Sequence, residues 1–301
     1  MNKKLLISSI VALLLLGSTA NAKSTTEKAT IAQSTKSSIK KEKQKQEKTV
    51  NEAPKEIGNG FNQTLEAINA LKEKNLKKAK KLLKSATENF SIALKTDPKL
   101  DIVPFAQKIN VHEFLGNSAM VQKALTLANT LILNYDTQSA RAVMMPLQDE
   151  MIVTTDAIPM KLYPIATENA LKALEDGKQK EALDILELSL NTIVSKVVLV
   201  PLPLLVAEDL VITASALDKV KKEDALGLLN LAQDELKKAV FLGYTKKHTS
   251  VYKALDEEIE ALKKEIKGKN VVEKLYDKLK ESFNSLIGQS REVSSNDKSH
   301  K

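Results

Sequence analysis

The sequence predicts an all-α fold of stacked antiparallel helix hairpins, with tetratricopeptide-like offsets at a longer period and room for a small two-stranded β-ribbon. Three observations lead there. An apolar template recurs four times. A proline follows three of the four copies at one fixed distance. Beyond the last copy, apolar residues step by threes and fours through two further helical stretches.

Each copy centres on a small residue: Ala79, Ala140, Ala182 or Ala225. Eight positions earlier stand Leu71, Ile132, Leu174 and Leu217, and twelve earlier Ala67, Ala128, Ala170 and Thr213. Three and four positions later come Leu82 and Leu83, Val143 and Met144, Ile185 and Leu186, Leu228 and Leu229. Apolar residues at these separations line one helix face. An alanine at the anchor lets two antiparallel helices approach closely. A residue able to take the left-handed conformation ends the first helix of each pair; Gly177 fits, and Asn75 and Asn134 are the matching candidates. One hairpin cannot bury its stripe alone, so neighbours are expected to stack into a continuous core. The anchors are separated by 61, 42 and 43 residues, so extra chain lies between the first two.

Taken in order, Lys3 and Lys4, an apolar run over residues 5–16 and an A-x-A exit at residues 20–22 read as a secretory signal peptide (1–22) cut after Ala22. Residues 23–55 hold nine lysines and four glutamates with few large apolar side chains. Such a stretch is expected to be a disordered basic linker, because burial cannot offset its ordering entropy. Its lysines suit weak contact with an anionic membrane surface. A helical repeat domain follows over residues 56–245.

Within that domain, Pro98, Pro159 and Pro201 each lie 19 residues after their anchor and mark where second helices must have ended. Pro146 falls in the second helix of the second hairpin and should bend it. Met144, Met145 and Met151 beside it read as adaptable core. Residues 101–105 suit an extended segment, and residues 151–155 and 197–200, β-branched and equivalently placed, suit a paired ribbon. Residues 246–288 form a helical pair, with Leu255, Ile259, Leu262 and Ile266 on one stripe and Leu275, Leu279, Phe283 and Leu286 on the other. This pair either caps the stack or pairs with another subunit in a homo-oligomer. The polar tail 289–301 is expected to be disordered.

The chemistry is sparse. There are no cysteines, which excludes disulfides and thiolate zinc sites. Three scattered histidines do not make a metal site, and His112 reads as an ordinary partly buried residue. No nucleophile elbow, phosphate loop or HExxH is present. The net charge of +8 belongs to the N-terminal segments, and residues from 56 onward are close to neutral. With two arginines and few aromatics, the chain lacks the forks and stacking rings of a nucleic-acid surface. The expectation is no enzyme and no cofactor.

Three segments carry a resemblance: IVPF at residues 102–105, IPMKLYPIA at 158–166 and VPLPLLVAED at 200–209. Together with ALKALEDGKQKEALDILELSLNTIV at 170–194, they resemble the YfdX family of bacterial envelope proteins over about residues 60–244. The resemblance implies a mainly helical, exported, periplasmic protein associated with stress, including acid stress. It also implies ligand-binding or chaperone-like behaviour, and offers no catalytic residues to carry over. The expected function is therefore non-enzymatic binding of protein clients or a small molecule. The alternative is a repeat scaffold for one envelope partner. The most apolar run outside the signal (195–211), together with the tyrosine of the upstream YP, nominates Tyr163, Pro201, Leu202, Pro203 and Leu205 as binding residues, against the plainer reading that the run is buried between repeats.

Overall fold

The computed structural model describes residues 20–217, 221–267 and 273–296. In chain order the elements are α1 (Ala20–Asn51), α2 (Lys55–Lys72), α3 (Leu76–Thr96), β1 (Ile102–His112), α4 (Ser118–Leu133), α5 (Thr137–Met144) and β2 (Glu150–Pro159). They continue with α6 (Tyr163–Glu175), α7 (Gln179–Leu190), β3 (Val194–Pro201), α8 (Leu202–Leu217), α9 (Lys222–Phe241), α10 (Ser250–Lys267) and α11 (Glu273–Asn296). The four expected hairpins are α2–α3, α4–α5, α6–α7 and α8–α9. All four anchor alanines are buried.

The first three hairpins share one turn. Lys74 and Tyr135 have φ of 60° and Gly177 a φ of 79°, each five residues before its anchor. The next amide donates back to Ala70, Leu131 and Ala173 respectively, at 2.8 to 2.9 Å. This is the paired closure of a helix C-terminus around a left-handed residue. The left-handed positions are therefore Lys74 and Tyr135, not Asn75 and Asn134. Asn75 instead caps α3, its side chain accepting from the Lys78 amide. Asp136 does the same for α5 through the Ser139 amide. An Asx side chain is worth more as a cap, where it satisfies an orphan donor, than one position earlier.

The chain divides into two units, and the hairpins alternate between them, so the span 56–245 expected as one domain is shared out. One unit holds residues 43–109 and 153–197. Its core joins the first and third hairpins: Ala67, Leu71, Ala79 and Leu83 pack with Ala170, Leu174, Ala182 and Leu186. Lys72 pairs with Glu187 at 2.8 Å across them, and Gln179 donates to the Leu71 carbonyl. A second cluster gathers Ile57, Phe61, Phe90, Ile158, Met160 and Tyr163. There the ring of Phe90 lies so close to Gly60 that a Cβ would sit within about 3 Å of it.

The other unit holds, among the described residues, 20–42, 110–152 and those from 198 onward. Here α8 and α9 pack side by side, α4 and α10 lie on α9, and α11 lies on α8 and α10. Helix α8 is mostly apolar, and every residue from Leu202 to Ala207 is buried. Pro203 does not delay it, since a proline in the first turn forfeits no helical hydrogen bond. Leu255, Ile259, Leu262, Leu279, Phe283 and Leu286 are all buried, so the final pair is spent on its own unit.

The sheet has three strands in the order β1-β2-β3, antiparallel, and each strand runs from one unit into the other. The expected ribbon of β2 and β3 is present. The addition is β1, which continues well past residue 105. Pro104 is tolerated because β1 is an edge strand.

Other expectations change. Helix α5 stops at Met144, so Pro146 ends it instead of bending it. Met144 and Met145 are exposed, while Met151 is buried. His112 is exposed at the end of β1. The segment expected as a disordered linker is helix α1, and helix α11 continues to Asn296 through part of the expected disordered tail. Residues 1–19 of the expected signal peptide, the turn at 268–270 and residues 297–301 lie outside the described residues. Among the described residues, no helix is long and apolar enough to cross a membrane.

Candidate functional site

Two features of the unit built on α8 and α9 stand out, and they share residues 114–149. The first is a buried charge cluster. Helix α9 carries Glu235 and Lys238 at a spacing of three, which places both on one face, and that face is turned inward. Lys238 Nζ lies 2.7 Å from a Glu235 carboxylate oxygen and 2.8 Å from Asp149 Oδ2. All three side chains are almost wholly out of water.

Asp149, just before β2, is a junction. Its carboxylate accepts from the Phe114 amide at 3.3 Å, and its own amide donates to Tyr244 Oη at 3.0 Å. Its carbonyl accepts from the Leu202 amide at 2.9 Å. One helix turn away on α9, Asp234 accepts from both the amide and the hydroxyl of Ser118 at the start of α4. The charged stretch of α9 thus holds both ends of the α4–α5 hairpin.

One ammonium faces two buried carboxylates, so one carboxyl is favoured to keep its proton. Burial pushes Glu235 up to about 7, against the pull of Lys238. Asp149 is raised for the same reason. Burial opposes the Lys238 charge, but Glu235 and Asp149 outweigh it and raise its pKa. Burial likewise raises Tyr244. The cluster is a proton-binding clasp enclosed in packed protein.

The second feature is what the clasp holds. Half of the sixteen large apolar side chains exposed among the described residues fall within residues 115–145. Their exposure runs from 46% at Met144 to 93% at Tyr135. The repeat provides an internal reference. Met144 corresponds to Leu83, Leu186 and Leu229, each 0% exposed. Ile132 is half exposed, whereas its equivalents Leu71, Leu174 and Leu217 are buried. In the first and third hairpins, α3 packs on α6 and α2 on α7. In the second, α4 finds α9, while α5 buries only Ala140.

The residues nominated from sequence lie elsewhere. Tyr163 is buried between Phe61 and Phe90 in one unit, with its phenol pushed up to about 12 by burial. Pro201, Leu202, Pro203 and Leu205 are buried in the other. Each is a buried side chain within its own unit. Sequence reading missed Asp149, Glu235 and Lys238. The available signal was on α9, where Ala225, Leu228 and Ala232 make a buried row at steps of three and four. Glu235 and Lys238 continue that row, so two charges stand where the helical period calls for apolar residues.

A family model described as YfdX protein matches residues 61–199. No curated protein matches the chain. Among solved structures, one of YfdX from Salmonella Typhi matches at 18% identity and a TM-score of 0.35, covering 49% of this chain and 91% of that one. The family match is shorter than the expected 60–244 and ends just before the PLPLL run. Over residues 61–199, somewhat under half of its length, the chain is similar to the YfdX family.

Proposed function

We propose that this protein is a non-enzymatic, exported, stress-related binding protein that holds protein clients in a chaperone-like manner on the α4–α5 hairpin. One observation carries the reading: half of the large apolar side chains exposed among the described residues are concentrated at this hairpin, and two of them, Ile132 and Met144, stand where the other copies of the repeat are buried. A soluble chain rarely leaves an apolar patch of this kind uncovered unless something binds it. Methionines at its edge suit varied partners, because the thioether side chain adapts its shape. Export is supported by the charged start, short apolar run and A-x-A exit of residues 1–22.

The test is light scattering from unrelated unfolding clients, at neutral and acidic pH, with and without the purified protein. Aggregation should be suppressed by the native chain and much less by Leu127→Glu, a change at a half-exposed site that places a charge in the patch. Unchanged scattering at both pH values would sink the client reading.

A further inference from the structure

We infer that a lysine stripe on helix α3 docks this protein on an anionic lipid surface. The inference goes beyond the client reading, which concerns the α4–α5 hairpin, and stands or falls without it. Residues from 56 onward nearly balance in charge, but the charges are not evenly mixed. Residues 72–84 hold seven lysines and one glutamate, and all seven lysines are exposed. Lys77, Lys80, Lys81 and Lys84 share the helical spacing of three and four, which gathers them on one face of α3. The opposite face carries Ala79, Leu83, Ala86 and Phe90, all buried. Lys74 in the turn and Lys78 add to the stripe. Of the seven lysines, only Lys72 is paired among the described residues, with Glu187.

This arrangement works against the fold. Lysines three and four apart on a helix repel one another. Lys77 and Lys78 stand in the first turn of α3, where the helix dipole disfavours cations, and that turn holds no acid. The repeat shows that the hairpin does not require it. At the same four offsets from their anchors, the other three hairpins carry twelve residues, of which only Arg141 and Lys180 are basic, while Asp184, Glu187 and Glu223 are acidic. A local cost that the fold does not need is expected at a working surface. The chemistry of the stripe selects the partner. Lysines are point charges on flexible stems, and here they spread over the outward face of a helix with no arginine or aromatic ring among residues 72–84. A protein or nucleic-acid partner would favour those missing groups. A field of lipid phosphates asks only for clustered positive charge, which about four to eight lysines beside an amphipathic helix supply. Leu76, 40% exposed at the head of the stripe, is placed to enter the headgroup layer. The lysines of α1 are partly engaged elsewhere, Lys41 with Asp209 and Lys48 with Glu52.

Co-sedimentation of the purified protein with vesicles rich in phosphatidylglycerol tests this. Binding is expected at low salt, with loss as added salt screens the charges, and none is expected to neutral phosphatidylcholine vesicles. The fourfold variant Lys77→Gln, Lys80→Gln, Lys81→Gln and Lys84→Gln should bind about tenfold more weakly or worse. Arginine at the same four positions should keep the binding. A second fourfold variant, Lys28→Gln, Lys36→Gln, Lys40→Gln and Lys45→Gln, removes as much charge from exposed positions of α1 and should bind nearly as well as the native chain. Because the α3 glutamines relieve like-charge neighbours, that variant should unfold at or above the native temperature, which separates lost binding from lost folding. Equal weakening by the two glutamine variants would mean that net charge alone is read, and would overturn the inference. So would equal binding to neutral vesicles, or no binding at low salt. Tighter binding to a DNA duplex than to the anionic vesicles would give the stripe to a nucleic acid and overturn the lipid assignment.

Discussion

Glu235 and Asp149 compete for the one ammonium of Lys238, and the consequence is a stability that depends on pH. The Glu235 carboxyl is raised from the ordinary 4.5 to about 7, with burial the chief cause. A carboxyl raised in the fold binds its proton more tightly there than in the unfolded chain. Its contribution is fully present below the unfolded value and is lost as pH rises through about 7. Urea unfolding should therefore show the protein more stable at pH 5 than at pH 8, by up to about 3 kcal/mol from this group. Glu235→Gln should flatten that slope; a variant with the native slope would show that the proton resides elsewhere. A second residue-scale prediction concerns Lys74, held at a φ of 60° in an exposed turn. Lys74→Gly should stabilise by about 1 kcal/mol in the same assay, because glycine takes that conformation without steric cost. Loss of stability would mean that the turn is held by something other than its backbone. The turn position was half legible: Gly177 announced itself, whereas nothing in the letters Lys74 or Tyr135 signals left-handed backbone. Only the shared offset of five residues before the anchor connects them.

At the scale of elements, α1 shows what an apolar periodicity test overlooks. Its hydroxyls and one lysine recur at helical spacing: Ser34, Ser37, Ser38 and Lys41. Ser34 donates to Asp209 Oδ2 at 2.8 Å and Ser37 to Oδ1 at 3.2 Å, with Lys41 paired to the same carboxylate. Ser38 donates to the Leu205 carbonyl at 3.1 Å. A polar helix is thus fastened to the otherwise apolar α8 through one buried acid. Composition marked this segment as unable to offset its ordering entropy by apolar burial, which is true, but the helix is held by hydrogen bonds to a charge instead. Asp209→Ala should leave buried Ser34 without its acceptor, cost about 1–3 kcal/mol and speed tryptic cleavage at the α1 lysines. Unchanged cleavage would mean that α1 is anchored by other contacts. Strand β1 was legible only over residues 101–105, for a related reason. Its edge position leaves it half exposed, so neither a buried apolar run nor a strict alternation marks it. The amphipathic helices and the β2–β3 pairing, which bury one face, were legible.

For the whole molecule, the repeat is real in its hairpins and misleading in its stacking. Local spacing specifies each hairpin, but which hairpin lies against which depends on the strands between them. Each strand carries the chain from one unit to the other, so within one unit the first hairpin meets the third, and within the other the second packs on α9. That alternation is why the exposed face could not be read from Met144 or Ile132, whose positions are buried in the other copies. The most direct test uses the absence of cysteines. Single substitutions Met144→Cys, Leu186→Cys and Leu229→Cys place one thiol at the same repeat position in three hairpins, and native-state labelling is followed at low protein concentration. The structure predicts prompt labelling of Met144→Cys and labelling of the other two only on unfolding. Protection of all three alike would contradict the open hairpin, and with it the binding face proposed here.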